Sequence, residues 1–133
     1  MPPRILVVDD EPDLRNLLRV ILERSGYDVT LAEDGQQALR HMTTERPHLV
    51  LCDVVMPRLD GYQTLAAIRS NPRTRDVPVL MLSAKGQPQD VRRALEAGAD
   101  GYIIKPFRRP QLLSEVQRCL EIQRLAVVEW VTS

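Results

Sequence analysis

The chain has 133 residues, 44% of them hydrophobic and 27% charged, which suffices for one core and is too little for two ordinary domains. Lysine plus arginine number 18 and aspartate plus glutamate also 18. No basic excess advertises a nucleic-acid backbone or an anionic membrane, so direct nucleic-acid binding and a membrane partner are not expected.

Met1-Pro2-Pro3-Arg4 leads into an apolar run, Ile5 to Val8, too short for a signal-peptide core or a bilayer span, which reads as cytoplasmic. That run is the first predicted strand, and Asp9-Asp10 closes it. Pro12 suits a first helical turn, Leu14, Leu17, Leu18, Ile21 and Leu22 follow at helical spacing, and Gly26 ends the helix. Asp28 to Ala32 is the second strand, Asp34-Gly35 a turn, and His48 to Cys52 the third strand, with Asp53 at its end. Asp60-Gly61 and Asn71-Pro72 mark further turns before Pro78 to Leu82, the fourth strand, which Ser83 closes. Val91, Ala94, Leu95 and Gly98 carry helical spacing again, and Gly101 to Ile104 is the fifth strand, followed by Lys105.

Strands one, three and four are nearly continuous Val, Ile and Leu, as expected where helices cover both faces of a parallel sheet. The alternation predicts five βα units in a doubly wound α/β sandwich. Cys52 and Cys119 lack metal-ligand spacing and read as small core residues. Leu112, Leu113, Val116, Cys119 and Leu120 form an apolar stripe that Leu125 to Val131, with Trp130, continues. Residues 1–124 therefore read as one domain, and 125–133 as a helical extension or the start of a linker. Cover for the chain's own sheet, a dimer contact and a cut linker are three open readings of that tail.

Ligands of open parallel sheets bind beyond the carboxyl ends of the strands, near the point where strand order reverses. Four of the five predicted strands deliver a polar group to that rim: Asp9-Asp10, Asp53, Ser83 and Lys105. Singly, each has an ordinary alternative: Asp10 as a helix cap, Ser83 as a loop hydroxyl, Lys105 as a solvated charge. Jointly they point to chemistry. Three converging carboxylates raise one another's pKa unless a cation makes the charged forms tolerable. Magnesium suits oxygen ligands and leaves room for waters and phosphate oxygens. Asp10 and Asp53 are the expected direct ligands, with Asp9 acting through a metal-bound water and the Val55 carbonyl completing the protein's share. Asp53 is then placed to act as a nucleophile toward phosphorus, with the Lys105 ammonium and the Ser83 hydroxyl serving the phosphoryl oxygens.

The segments Val7-Val8-Asp9-Asp10-Glu11, Asp53-Val54-Val55-Met56-Pro57-Arg58-Leu59-Asp60-Gly61, Ser83-Ala84 and Gly98-Ala99-Asp100-Gly101-Tyr102-Ile103-Ile104-Lys105-Pro106-Phe107, in this order, resemble the receiver domain of response regulators over roughly residues 4 to 120. The resemblance implies a flavodoxin-like fold of strand order 2-1-3-4-5 with five helices. That order is taken over from the family, whose chemotaxis members define it, and not deduced from the strands. It further implies that Asp53 receives a phosphoryl group from a sensor histidine kinase or a phosphotransfer protein with Mg²⁺ required. Ser83 and Tyr102 are then switch residues, and Lys105-Pro106 a cis peptide. The surface that changes would be helix four, strand five and helix five, approximately residues 87–124, facing a downstream output protein or domain. Such a protein catalyses only its own phosphorylation and dephosphorylation.

Val55 and Lys85, two residues beyond Asp53 and Ser83 respectively, lie at positions that vary between receivers, and an apolar Val55 is expected to hinder an attacking water. In winged-helix transcriptional receivers two acids usually follow Gly-Ala, with a base in the last helix, and these pair across a dimer. Here Gly101 replaces the second acid and Glu115 stands where the base is expected. The pattern speaks against that dimer and against a direct transcriptional role, while symmetric pairing through another surface, a possible homodimer, stays open. The competing readings are a magnesium-dependent phosphohydrolase with an aspartyl nucleophile, a receiver-like adaptor that needs no phosphate, and a flavodoxin-like cofactor carrier. The first wants a proton-transferring acid at position 55, the second wants missing acceptor chemistry, and the third wants a phosphate loop after strand one.

Overall fold

The computed structural model describes residues 2–132, with side chains described through Ile122. In chain order the elements are β1 (Arg4–Val8), α1 (Pro12–Arg24), β2 (Asp28–Ala32), α2 (Gly35–Thr44), β3 (Leu49–Asp53), α3 (Gly61–Ser70), β4 (Val79–Ser83), α4 (Pro88–Glu96), β5 (Gly101–Ile104) and α5 (Arg109–Thr132). All strand pairs are parallel, and the sheet order is β2-β1-β3-β4-β5, as expected.

The apolar runs of β1, β3 and β4 conceal a period of two because both sheet faces are covered. Leu6, Val8, Val50, Cys52, Val79 and Met81 pack with Ala38, Met42, Leu65, Ile68 and Ala94 from α2, α3 and α4. Their neighbours Ile5, Val7, Leu49, Leu51, Leu80 and Leu82 pack with Leu18, Ile21 and Leu22 of α1 and Leu112, Val116 and Cys119 of α5. Both cysteines are fully buried, and burial pushes their thiols up, that of Cys119 to about 11. β2, an edge strand, keeps only Ala32 buried.

Two predicted strands start one residue later than expected. His48 is withheld from β3 because its imidazole Nδ1 accepts the Arg4 backbone N–H at 2.8 Å, while its own N–H donates to the Arg4 carbonyl at 2.8 Å. Pro78 has no N–H to give, and only its carbonyl is used, by Val50 N–H at 2.9 Å. Asp34-Gly35 and Asp60-Gly61 are helix starts rather than free turns. Each aspartate is an N-cap whose side chain accepts the backbone N–H three residues on, Gln37 and Gln63 respectively. Asp60 and Gln63 complete a reciprocal capping box.

The two helical stripes are narrower than their sequence pattern. Leu17 and Leu95 are each 50% exposed, and Ala94 is the buried residue of α4. Helix α4 instead has polar and ring contacts at its flanks: the Arg93 guanidinium lies 4.1 Å from the Tyr62 ring centroid, and Arg69 donates to the Gly98 carbonyl at 2.8 and 3.1 Å. Arg69 also reaches Asp100 Oδ2 at 2.9 Å, an oxygen that accepts the Val79 N–H. The α5 backbone continues to Thr132, whereas the tail stripe of Leu125 to Val131 with Trp130 lies outside the described side chains. Among the described residues, no helix is long and apolar enough to cross a membrane.

Gly61 is where packing leaves no room for a side chain. A Cβ there would lie 2.4 Å from the Asp53 carbonyl oxygen and 2.7 Å from Val54 Cα, both backbone atoms at the end of β3. Gly61→Ala is therefore expected to lower stability in urea titrations by about 1–3 kcal/mol, the usual cost of overpacking.

Candidate functional site

The register of the sheet assembles the site. Strand order reverses between β1 and β3, where Val8 pairs with Cys52, so Asp9 and Asp53, one residue further on, stand level at the crevice. Asp53 pairs with Leu82 and Ser83 with Ile104, so each step across the sheet brings the next polar residue, Ser83 and then Lys105, to the same rim. The Lys105-Pro106 peptide is cis, as expected from the resemblance.

Asp9, Asp10 and Asp53 each offer a carboxylate oxygen, and these oxygens lie within 4.8 Å of one another. Lys105 Nζ donates to Asp53 Oδ2 at 3.2 Å and lies 3.8 Å from Asp9 Oδ2. Asp9 and Asp53 are buried, at 1% and 6% exposure, whereas Asp10 is exposed. Burial pushes the Asp9 carboxyl up from 3.8 to about 6; the Glu11 N–H opposes this, Asp53 adds to it, Lys105 opposes it and Asp10 adds to it. Burial likewise raises Asp53, against the opposing charge and hydrogen bond of Lys105 and the Val55 N–H. One ammonium thus faces three carboxylates.

That imbalance leaves a mark. Asp9 Oδ1 accepts the Glu11 N–H at 2.9 Å, but Asp9 Oδ2 is buried with no hydrogen-bond partner among the described residues. A buried carboxylate oxygen with no hydrogen bond, and only the Lys105 ammonium at 3.8 Å, beside two further acids fits a hard cation that takes oxygen donors. The helix-cap alternative for Asp10 fails: the N-cap of α1 is Glu11, and the residue bonding its N–H is Asp9.

Ser83 is 1% exposed, and its Oγ accepts the Lys85 N–H at 3.1 Å. The Tyr102 hydroxyl donates to the Lys85 carbonyl at 2.7 Å, with its ring half-buried against the core. Lys85 therefore joins the two residues through its backbone, a connection that a reading of side-chain types alone overlooks. Val55 touches the site through its amide, which donates to Asp53 Oδ1 at 3.3 Å, while its side chain is 58% exposed. The sequence reading also missed Arg15, whose Nη1 donates to the Asp9 carbonyl at 2.8 Å. Beside Gly101, Arg118 Nη2 donates to the Asp100 carbonyl at 2.6 Å and to Glu115 Oε2 at 2.9 Å. Glu115 is paired within the chain.

A folded-state carboxyl raised from 3.8 to about 6 makes the protein less stable as pH rises through that interval, by about 3 kcal/mol in total for the metal-free form. Asp9→Asn should therefore be more stable than metal-free wild type at pH 7 to 8, with the difference vanishing below about pH 4 in urea titrations. The comparison with the variant cancels the contribution of His48, whose pKa burial and the Arg4 and Arg46 charges lower, and which acts in the opposite sense by weakening the fold below 6.5.

The sequence model of the response regulator receiver domain matches residues 5–117. The DNA-binding dual master transcriptional regulator RpaA of Synechocystis is 40% identical over 118 residues, 89% of this chain and 49% of that protein. The alkaline phosphatase synthesis transcriptional regulatory protein PhoP of Bacillus subtilis is 42% identical over 126 residues, 95% of this chain and 52% of its own length. The chain thus spans about half the length of these relatives. Among solved structures, NtrX of Brucella abortus superposes with a TM-score of 0.92 at 33% identity, over all of this chain and 30% of NtrX. The chemotaxis protein CheY4 of Vibrio cholerae gives 0.85 at 31% identity, over 90% of this chain and 99% of its own. The expectations of no nucleic-acid partner and no direct transcriptional role find no support in relatives with such names. Charge balance and one dimer surface describe this chain alone, and say nothing of the remaining half of those longer proteins. With the acids, the lysine and the strand order in place, the chain belongs to the response regulator receiver domain family of two-component signalling.

Proposed function

We propose that the chain is a phosphorylation-driven switch in which Asp53 is the phosphoacceptor. The observation that carries this reading is the placement of the Lys105 ammonium 3.2 Å from Asp53 Oδ2, inside a cluster of three carboxylates that it does not neutralise. The donor is a phosphohistidine of a sensor histidine kinase or a phosphotransfer protein. A carboxylate oxygen of Asp53 forms the new P–O bond, the P–N bond to the donor breaks, and its electron pair leaves with the imidazole nitrogen. Lys105 and the Ser83 hydroxyl then donate to phosphoryl oxygens. Asp10 and Asp53 would hold Mg²⁺ directly and Asp9 through a water, with the Val55 carbonyl as a further ligand. The ion would supply neutralisation of the charge gathering on the phosphoryl oxygens.

Output follows from Lys85. A Ser83 hydroxyl drawn to the phosphoryl group turns away from the Lys85 N–H, and the Lys85 carbonyl is the partner of Tyr102. Moving a two-state equilibrium from 1:99 to 99:1 takes about 5.5 kcal/mol, and a hydrogen bond to a charged group contributes about 1.5–3 kcal/mol. Two or three new contacts suffice, because α4 resists weakly with Ala94 as its buried residue. The α4-β5-α5 face, which exposes Leu95 and Ile104, then meets an output domain or protein in the cytoplasm. Names of relatives about twice as long support transcriptional control as the eventual output. The phosphohydrolase reading is weaker, since the exposed Val55 side chain cannot transfer a proton.

Incubation with acetyl phosphate and Mg²⁺ should add one phosphoryl mass to the wild type and none to Asp53→Ala. Labelling of both, or of neither, would refute the assignment. Val55→Asn, which replaces an apolar side chain at the mouth of the site by one that can hold a water, should shorten the acyl-phosphate half-life by a few-fold, about 1 kcal/mol or less on the hydrolysis barrier. A half-life equal to or longer than that of the wild type would remove Val55 as the shield.

A further inference from the structure

We infer that Arg15 is a positioning residue for a divalent cation at the Asp9-Asp10-Asp53 cluster, an inference that rests on the metal-binding reading of that cluster. Its Nη1 donates to the Asp9 carbonyl at 2.8 Å, from a half-buried side chain on the second turn of α1. The carbonyl of Asp9 belongs to the peptide that joins Asp9 to Asp10, so this bond fixes the plane from which the Asp10 carboxylate is presented. Asp10 needs such support, because it is exposed while the other two acids are buried.

The remaining polar groups of Asp9 are tied as well. Its N–H donates to the Ala32 carbonyl at 3.1 Å, which extends the β1–β2 ladder, and its Oδ1 accepts the Glu11 N–H at 2.9 Å. With Arg15 on the carbonyl, the one polar atom of Asp9 left unbonded is the buried Oδ2, which faces the cluster. Backbone and side chain are thus held in one orientation by groups that are not members of the three-acid cluster. This is the arrangement by which outer partners orient metal ligands.

Arg15 stands one turn into α1, whose first-turn acid is Asp13, so the helix dipole does not decide this position; what the guanidinium does there is donate back to the β1–α1 turn. Arg19, one turn further along, pairs with Glu23 at 3.3 Å in the usual surface fashion and makes a control.

The test is calorimetric titration of Mg²⁺ into wild type, Arg15→Met, Arg15→Lys and Arg19→Met, with folding of each metal-free variant checked by circular dichroism. Arg15→Met should bind Mg²⁺ about 10-fold more weakly, the scale expected for an outer partner of a metal ligand. Arg15→Lys should recover part of that loss, and Arg19→Met should match the wild type. In acetyl phosphate reactions, Arg15→Met should reach the wild-type maximal rate once Mg²⁺ is raised to saturation. Equal affinity for wild type and Arg15→Met overturns the inference. So does a maximal rate that added Mg²⁺ does not restore, which would indicate a structural role only. Should Arg15→Met fail to fold, an Arg15→Lys affinity equal to that of Arg19→Met overturns it, and an affinity between wild type and the loss expected for Met supports it. Absence of Mg²⁺ binding by the wild type defeats the metal reading itself, and this inference with it.

Discussion

Carboxylates brought together at the end of a sheet repel one another, and burial makes that repulsion expensive, because the crevice has little water to screen it. In this chain Asp9 and Asp53 sit level at the point where strand order reverses, Asp10 adds a third acid, and Lys105 supplies one ammonium. The raised pKa of Asp9 follows first from its burial, with the Asp53 charge adding to it, and its Oδ2 is left without a hydrogen bond among the described residues.

A strongly packed sheet makes such a site tenable. β3 and β4 are buried along their whole length, and large apolar clusters cover both faces. Asp53 ends β3, and Asp9 and Asp10 follow β1, which is buried from Ile5 onward, so the destabilising carboxylates are carried by well-packed strands. Helix α4 is packed more lightly: it has one buried residue, and polar contacts hold its flanks. In the proposed switch, charge placed beside such a helix would let a local electrostatic change become a change of surface.

Lys85 joins these two regions: its N–H meets the hydroxyl at the end of β4 and its carbonyl meets the hydroxyl on β5, both through the backbone. In the proposed switch, this is the route by which a turn of Ser83 would reach Tyr102. Glu115, where the linear pattern leads one to expect a base, is paired within the chain to Arg118, next to Gly101.

The order of elements, the burial of both sheet faces and the carboxyl-end location of Asp9, Asp10, Asp53, Ser83 and Lys105 were legible in the sequence, because strand-length apolar runs and the polar residues that end them are local features. The sheet order came with the family resemblance, since strand pairing is long-range and no local pattern encodes it. Three-dimensional packing alone decided which of the helical leucines are buried: Leu18 is covered, whereas Leu17 and Leu95 face solvent. It also decided that His48 staples Arg4 instead of entering β3, and that Asp9 rather than Asp10 bonds the start of α1. Arg15 was hidden for the same reason. Its partner is a backbone carbonyl, which every residue carries, so no pattern of residue types could name it before the chain was folded.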